Sequence, residues 1–262
     1  MFESLKRGAM ALFPRAYLRI RDRIHGGTAP LTRGVVHRVR SRVVAGPFAG
    51  MKYLPAAAGS ALLPKLLGTY EAELHCIIAE ATRRNYEGVV DIGCAEGYYA
   101  VGLARALSQT PVYAFDTDDW ARRLCRSMAK INGVADRVQV LGECVPETLL
   151  AMADQRILAI CDCEGYEASL ITEDLARRLA KWDILIETHE TEAPHITEKL
   201  AALFASSHDI QVVLQRPRDA TGFPSVMALP ESWRQAAMEE GRHGVQHWLW
   251  ASAKNPSPRF PE

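Results

Sequence analysis

The chain has 262 residues, 48% of them hydrophobic and 24% charged, and its 31 bases balance its 31 acids. That composition fits a globular protein with a sizeable core, and the length suits one large α/β domain with an appendage. It excludes disordered and collagen-like chains, and six cysteines are too sparse for a disulfide scaffold. Several of those cysteines fall inside predicted strands or helices, which points to reduced thiols and a cytoplasmic compartment.

The charge is unevenly distributed. Residues 1–52 carry eleven bases against only Glu3 and Asp22, a net +9, so the remainder of the neutral chain is −9. Leu5, Met10, Leu12, Phe13, Tyr17, Leu18, Ile20 and Ile24 interleave with the bases, the pattern of a basic amphipathic helix interrupted at Pro14. Such an arm is expected to meet an anionic surface: peripheral membrane headgroups, nucleic acid or an acidic partner. The alternative is an arm packed on its own domain. No apolar run reaches the roughly 18–20 residues of a transmembrane segment, and no signal-peptide pattern fits.

Pro47, Gly50, Pro55, Gly59 and Pro64 punctuate an Ala-rich linker. Residues 1–60 are therefore read as arm and linker, 61–254 as the main domain, and 255–262 as a flexible tail. Leu74, Ile77, Ile78 and Ala81 recur at helical spacing and predict a helix over 69–85. Strand and helix then alternate. Strands are predicted at 88–92, 112–115, 137–141, 157–161, 184–187 and 210–214. The intervening helices are predicted over 97–108, 119–131, from Pro146, over 166–180 and over 195–206. An insertion, 216–245, carries its own helix near 231–240, and 246–251 supplies a last strand. This alternation predicts a doubly wound, Rossmann-like parallel sheet of seven strands. The last two strands are placed to form a hairpin, with one antiparallel strand at the edge.

The most informative stretch is Val89-Val90-Asp91-Ile92-Gly93-Cys94-Ala95-Glu96-Gly97-Tyr98. An apolar strand ends in an acid, turns through two glycines, and re-emerges as a helix. Glycines let the backbone turn tightly and approach a ligand, and the helix offers its first N–H groups. The spacing D-x-G-x-x-x-G departs from the dinucleotide pattern G-x-G-x-x-G. It resembles motif I of the class I methyltransferases that use S-adenosylmethionine. The resemblance implies a methyltransferase sheet, S-adenosyl-L-methionine as cofactor, and cofactor contacts from Asp91, Gly93, Cys94, Ala95, Glu96, Gly97 and Tyr98.

Asp116, with Thr117 beside it, closes the second strand 25 residues after Asp91. An acid near that spacing binds ribose hydroxyls in nucleotide-binding folds, whereas the bland alternative is a helix cap. Glu143 lies just beyond the third strand. The resemblance implies that it recognises the adenine amino group, helped by the Cys144 backbone.

Asp162 ends the fourth strand in Asp162-Cys163-Glu164-Gly165-Tyr166-Glu167, a D-x-E-G-x-E element. Glu187-Thr188-His189 ends the fifth. Together with motif I these elements resemble the FkbM-type methyltransferases over residues 69–190. That resemblance implies O-methylation of a small-molecule or carbohydrate-like (glycan) acceptor.

A hydroxyl acceptor benefits from a base or metal that lowers its pKa. The candidates are Asp162, Glu164, Glu187 and His189, and the imidazole has the intrinsic pKa for a base near neutrality. Structural alternatives are a surface imidazole at His189, and Glu164 and Glu167 orienting the turn backbone. Oxygen ligands for Mg²⁺ are present at both strand ends. The metal pattern of catechol-type methyltransferases is not reproduced, however, and no residue is assigned to a metal. Cys161 and Cys163, two apart on a strand, share one face and read as small hydrophobes. Two other functions stand beside methyl transfer. One is an NAD-dependent oxidoreductase, disfavoured by the glycine spacing; the other is a non-catalytic module recruited by its arm to a membrane or an anionic polymer.

Overall fold

A computed structural model describes residues 29–242 and 244–254. Seven strands form a single sheet: β1 Gly88–Ile92, β2 Val112–Phe115, β3 Val138–Leu141, β4 Ile157–Cys161, β5 Asp183–Thr188, β6 His208–Leu214 and β7 His247–Ala253. Their spatial order is β3-β2-β1-β4-β5-β7-β6. The pairs β3–β2, β2–β1, β1–β4 and β4–β5 are parallel, and β7 runs antiparallel to both β5 and β6. This is the doubly wound, mostly parallel sheet expected, with its antiparallel strand at the β6 side. The chain lays down β6 one strand-width beyond β5, and the returning insertion brings β7 into the gap.

Helices cover both faces. In chain order they are α1 Ala29–Arg38, α2 Leu62–Leu67, α3 His75–Ala81, α4 Tyr98–Ala106, α5 Asp119–Asn132 and α6 Pro146–Leu150. There follow α7 Glu167–Leu170, α8 Glu173–Arg178, α9 Ile196–Phe204, α10 Pro224–Met227 and α11 Glu231–Met238. Alternation along β1 divides the core: Val89 joins one apolar cluster, while Val90 and Ile92 join the other. Helix α5 shows why a segment becomes a helix here. Ala121, Leu124, Cys125, Met128 and Ala129 recur at helical spacing and are buried. Asp118 caps its first turn by accepting the Trp120 N–H at 2.8 Å, and Gly133 ends it in the left-handed region.

Three expectations change. The helix predicted over 69–85 is a 3-10 turn, Ala72–Leu74, running into α3, because Glu71 adopts a left-handed φ of 46°. The helix over 166–180 divides into α7 and α8, because Thr172 leaves the helical conformation to accept the Leu175 N–H at 3.2 Å. The linker is core rather than spacer: Phe48, Met51 and Tyr53 are buried, and Arg42 and Lys52 form an antiparallel bridge. Leu31 and Val35 bury one side of α1, so residues 29–60 pack on the domain through apolar contact. The amphipathic segment over residues 5–24 lies outside the described residues, as does the tail. Among the described residues no helix is long and apolar enough to cross a membrane.

Candidate active site

β1 sits where the sheet reverses its order, with β2 and β3 on one side and β4 and β5 on the other. Ligands in such sheets bind beyond the carboxyl ends of the strands at this point. The turn after β1 is tied to both neighbours. The Gly93 and Cys94 N–H groups donate to Phe115 O, each at 2.9 Å, and the Asp162 N–H donates to Ile92 O at 2.9 Å. Gly93 has φ +82°, and a Cβ there would lie 1.6 Å from Asp162 O, so only glycine allows the ends of β1 and β4 to close together. Gly97 starts α4 at φ +96°, with the Cys125 sulfur 2.9 Å from where a Cβ would stand.

Asp91 is 2% exposed. It receives the Ala100 N–H at the start of α4, while its Oδ2 has no partner. Burial pushes its pKa up to about 7, against the lowering effect of that N–H. Asp116 holds the turn: Oδ2 accepts the Ala95 N–H and Oδ1 the Asp118 N–H, both at 2.8 Å. Each oxygen retains a further lone pair. Thr117 and Glu143 are exposed beside this rim.

Four of the residues expected at the cofactor, Cys94, Glu96, Tyr98 and Cys144, have buried side chains. Glu96 is fully buried, and it accepts from Lys65 Nζ at 2.6 Å, Tyr53 Oη at 2.5 Å and the Ala58 N–H at 2.9 Å. Burial alone would raise its pKa, but Lys65, Tyr53 and Ala58 outweigh it and hold the carboxyl below its usual range. Its role is to fasten residues 53–65 onto the turn. Tyr98 is buried among the rings of Phe48, Tyr53, Tyr70 and Tyr99. Cys144 is buried in the second core cluster, which pushes its thiol up to about 12. Cys94 is likewise buried, so at Cys94, Glu96, Tyr98 and Cys144 the main chain is what remains for a ligand.

The other half of the rim is acidic. His189, just past β5, has Nδ1 2.9 Å from the buried Glu167 Oε1. Its Nε2 lies 3.7 Å from Asp162 Oδ1 and 3.7 Å from Glu164 Oε2. Burial would lower the imidazole pKa, but Glu167, Asp162 and Glu164 together raise it. Three of the four expected catalytic side chains are thus brought together, and His189 is no stray surface imidazole. Glu167 has a structural role as well, since its Oε1 accepts the Cys163 N–H at 3.0 Å. Cys161 and Cys163 do share a face, with sulfurs 3.6 Å apart; all six cysteines are free.

The fourth, Glu187, is 1% exposed and paired with Arg242. Arg242 also pairs with Glu71 and lies 3.2 Å from Glu240, while Arg218 bridges Glu73 at 2.6 Å and Glu240 at 2.9 Å. Burial, with Asp162 and Glu71 close by, pushes Glu187 up to about 10, and burial pushes Glu71 up to about 7. This network ties the 216–245 insertion onto the ends of β5 and the segment before α3. Sequence reasoning missed Glu71, Glu240 and Arg242. Charged residues in an otherwise unpatterned insertion were the only signal for Glu240 and Arg242, and Glu71 had none.

Neither a protein-family model nor a curated protein matches the chain. Solved structures do resemble it. A precorrin-6y C5,15-methyltransferase from Geobacter metallireducens aligns at 13% identity and a TM-score of 0.47, over 68% of this chain and 87% of that one. An O-methyltransferase from Bacillus cereus in complex with SAH aligns at 12% identity and 0.46, over 84% and 91%. The O-methyltransferase TomG from Streptomyces achromogenes, in complex with SAM, aligns at 12% and 0.44, over 70% and 80%. These are low-identity likenesses of chain trace, and any functional assignment stands on the strand-end residues.

Proposed function

We propose that this chain is an S-adenosylmethionine-dependent methyltransferase acting on an oxygen of a small-molecule or carbohydrate-like acceptor. One observation carries the reading. The Asp91–Gly97 turn and the Asp162–Glu164–His189 group occupy one rim at the order reversal of the sheet, joined where Asp162 packs on Gly93.

The residues present fit the cofactor. Asp91 is buried with one oxygen lacking a donor, and Gly93 and Gly97 leave no Cβ on the turn. In this reading Asp91 and the main chain of Gly93, Cys94, Ala95, Glu96, Gly97 and Tyr98 hold the amino-acid end. Asp116, with Thr117, receives the ribose hydroxyls. Glu143 and the Cys144 backbone take the adenine, and Asp162 borders both cofactor and acceptor. When bound, the cofactor would supply an activated methyl group for the acceptor oxygen, with S-adenosylhomocysteine as the leaving group.

The chain's own task is to position the acceptor and remove its proton. The hydroxyl proton leaves toward the Asp162–Glu164–His189 group, with Glu167 fixing the imidazole through Nδ1. Glu187 acts through Arg242, holding the insertion against the rim. The acidity of this rim supports a neutral polar acceptor with several hydroxyls and disfavours anionic ones such as nucleic acid.

The test is transfer of radiolabelled methyl from S-adenosylmethionine into separate fractions of neutral metabolites, polysaccharide and RNA. Label in a hydroxylated metabolite or glycan, stable to mild base as an ether, is expected. Label confined to RNA, or none in any fraction, would overturn the assignment.

A further inference from the structure

The group beyond β4 and β5 gathers three carboxylates around one imidazole. Asp162, Glu164 and His189 each present one donor atom, and all three atoms lie within 4.8 Å of one another. His189 Nδ1 faces the Glu167 carboxylate at 2.9 Å, which fixes the proton of a neutral ring on Nδ1. Nε2 then turns a lone pair toward two carboxylates, each 3.7 Å away. At 3.7 Å a proton on Nε2 would form a hydrogen bond to neither.

A second observation points the same way. Glu167 Oε2 is buried and unpartnered beneath the imidazole it orients, and Glu187, 1% exposed, shares a side-chain hydrogen bond with Asp162. Asp162, Glu164, Glu167 and the Nε2 of His189 therefore face one another as acceptors, while Arg242 is engaged by Glu71, Glu187 and Glu240.

We infer that Asp162 Oδ1, Glu164 Oε2 and His189 Nε2 form a binding site for a divalent transition-metal ion. Donors about 2.1 Å from a common ion stand roughly 3.0–3.4 Å apart, so each 3.7 Å His189 pair closes by about 0.3–0.7 Å and the Asp162–Glu164 pair, within 4.8 Å, by at most about 1.8 Å. The Glu164 side chain, 85% exposed, has the freedom to make that shift. One imidazole with two carboxylates suits a Mn²⁺-like ion better than a thiolate-seeking or purely oxygen-bound one. Glu167 provides the outer carboxylate that orients a ligating histidine. Glu164 marks the solvent side, leaving positions for water or an acceptor hydroxyl.

The catalytic use of the ion rests on the methyl-transfer reading: with the ion bound, His189 would serve as ligand rather than proton acceptor, and the ion would lower the pKa of a bound hydroxyl, whose proton leaves to solvent past Glu164. Binding of the ion does not rest on that reading.

The experiment is Mn²⁺ titration of the full-length, chelator-treated protein, followed by loss of the free-ion electron paramagnetic resonance signal. Thermal melts confirm the fold of each variant. One ion per chain is expected. Glu164→Gln and His189→Gln should each raise its Kd at least tenfold, whereas Glu198→Gln, an exposed acid beside His195, should not. Because Glu164 is exposed, its variant decides the matter even if His189→Gln misfolds. Absence of saturable binding, or equal affinity in Glu164→Gln, would overturn the site. S-adenosylmethionine is titrated in parallel. Mn²⁺ binding without cofactor binding would retain the metal site and reject the methyltransferase reading, and the reverse result would do the opposite.

Discussion

Lys65 and Glu96 form an ion pair at 2.6 Å with side chains 3% and 0% exposed, and replacing Lys65 by Met tests what fastens the glycine turn. Met keeps the apolar contact under Tyr70, whose ring centroid lies 4.7 Å from Nζ, but removes the charge. Breaking a buried pair typically costs about 3–5 kcal/mol. Here a ceiling applies, because Glu96 can take up a proton. With a reference pKa of 4.5, protonation costs about 3.4 kcal/mol at pH 7 and about 0.7 kcal/mol at pH 5. Lys65→Met should therefore lose about 3 kcal/mol at pH 7, some 6–12 °C in Tm, and less than about 1 kcal/mol at pH 5.

The sign follows from linkage. Glu96 is held below its usual pKa in the fold, so its stabilisation is present above about pH 4.5 and lost as pH falls through the folded value. Urea unfolding at the two pH values measures the difference. Lys65→Met combined with Glu96→Gln should recover most of the loss, since no uncompensated charge remains. A loss under 1 kcal/mol at pH 7, or one that is constant from pH 5 to 7, would refute the reasoning.

Three further predictions concern the rim. Asp91→Asn replaces a carboxyl whose pKa burial has pushed up to about 7 by its neutral isostere. Tm should not fall, while calorimetric affinity for S-adenosylmethionine should drop about tenfold or more. Asp116→Ala removes the acceptors for the Ala95 and Asp118 N–H groups, so cofactor affinity should fall with at most about 2 kcal/mol lost in urea unfolding; unchanged affinity would count against the ribose assignment. His189→Ala should lower turnover about a hundredfold while leaving cofactor Kd within about twofold. An unaltered rate on the true acceptor would remove His189 from the mechanism.

The strands were legible because their physics is local. Val89, Val90 and Ile92 form an apolar run interrupted only by Asp91 and ended by turn residues, and its bounds emerge as read. β3 and β5 shift by one residue, β6 starts two earlier, and β7 runs from 247 to 253. The motif turn was equally local, since two glycines and an acid within seven residues specify a backbone path. What sequence could not convey was contact between distant segments. Phe48, Met51 and Tyr53 follow neither a helical nor a strand period across their Pro/Gly-rich surroundings, so their burial left no pattern. Glu96 read as a ligand contact because its partners, Tyr53 and Lys65, come from that same segment. Arg242 reaches Glu187 and Glu71 across 55 and 171 residues, and no spacing rule signals such a pair. The strand-end acids were named correctly as neighbours, but only geometry separates Glu187, sealed under Arg242, from the open Asp162–Glu164–His189 group.

The central claim is that the Asp91–Gly97 turn holds S-adenosylmethionine. Isothermal titration of the full-length protein with that cofactor, and separately with NAD, tests it most directly. The account predicts one S-adenosylmethionine per chain, weakened by Asp91→Asn, and no measurable NAD binding. Tight NAD binding without the sulfonium cofactor would contradict it.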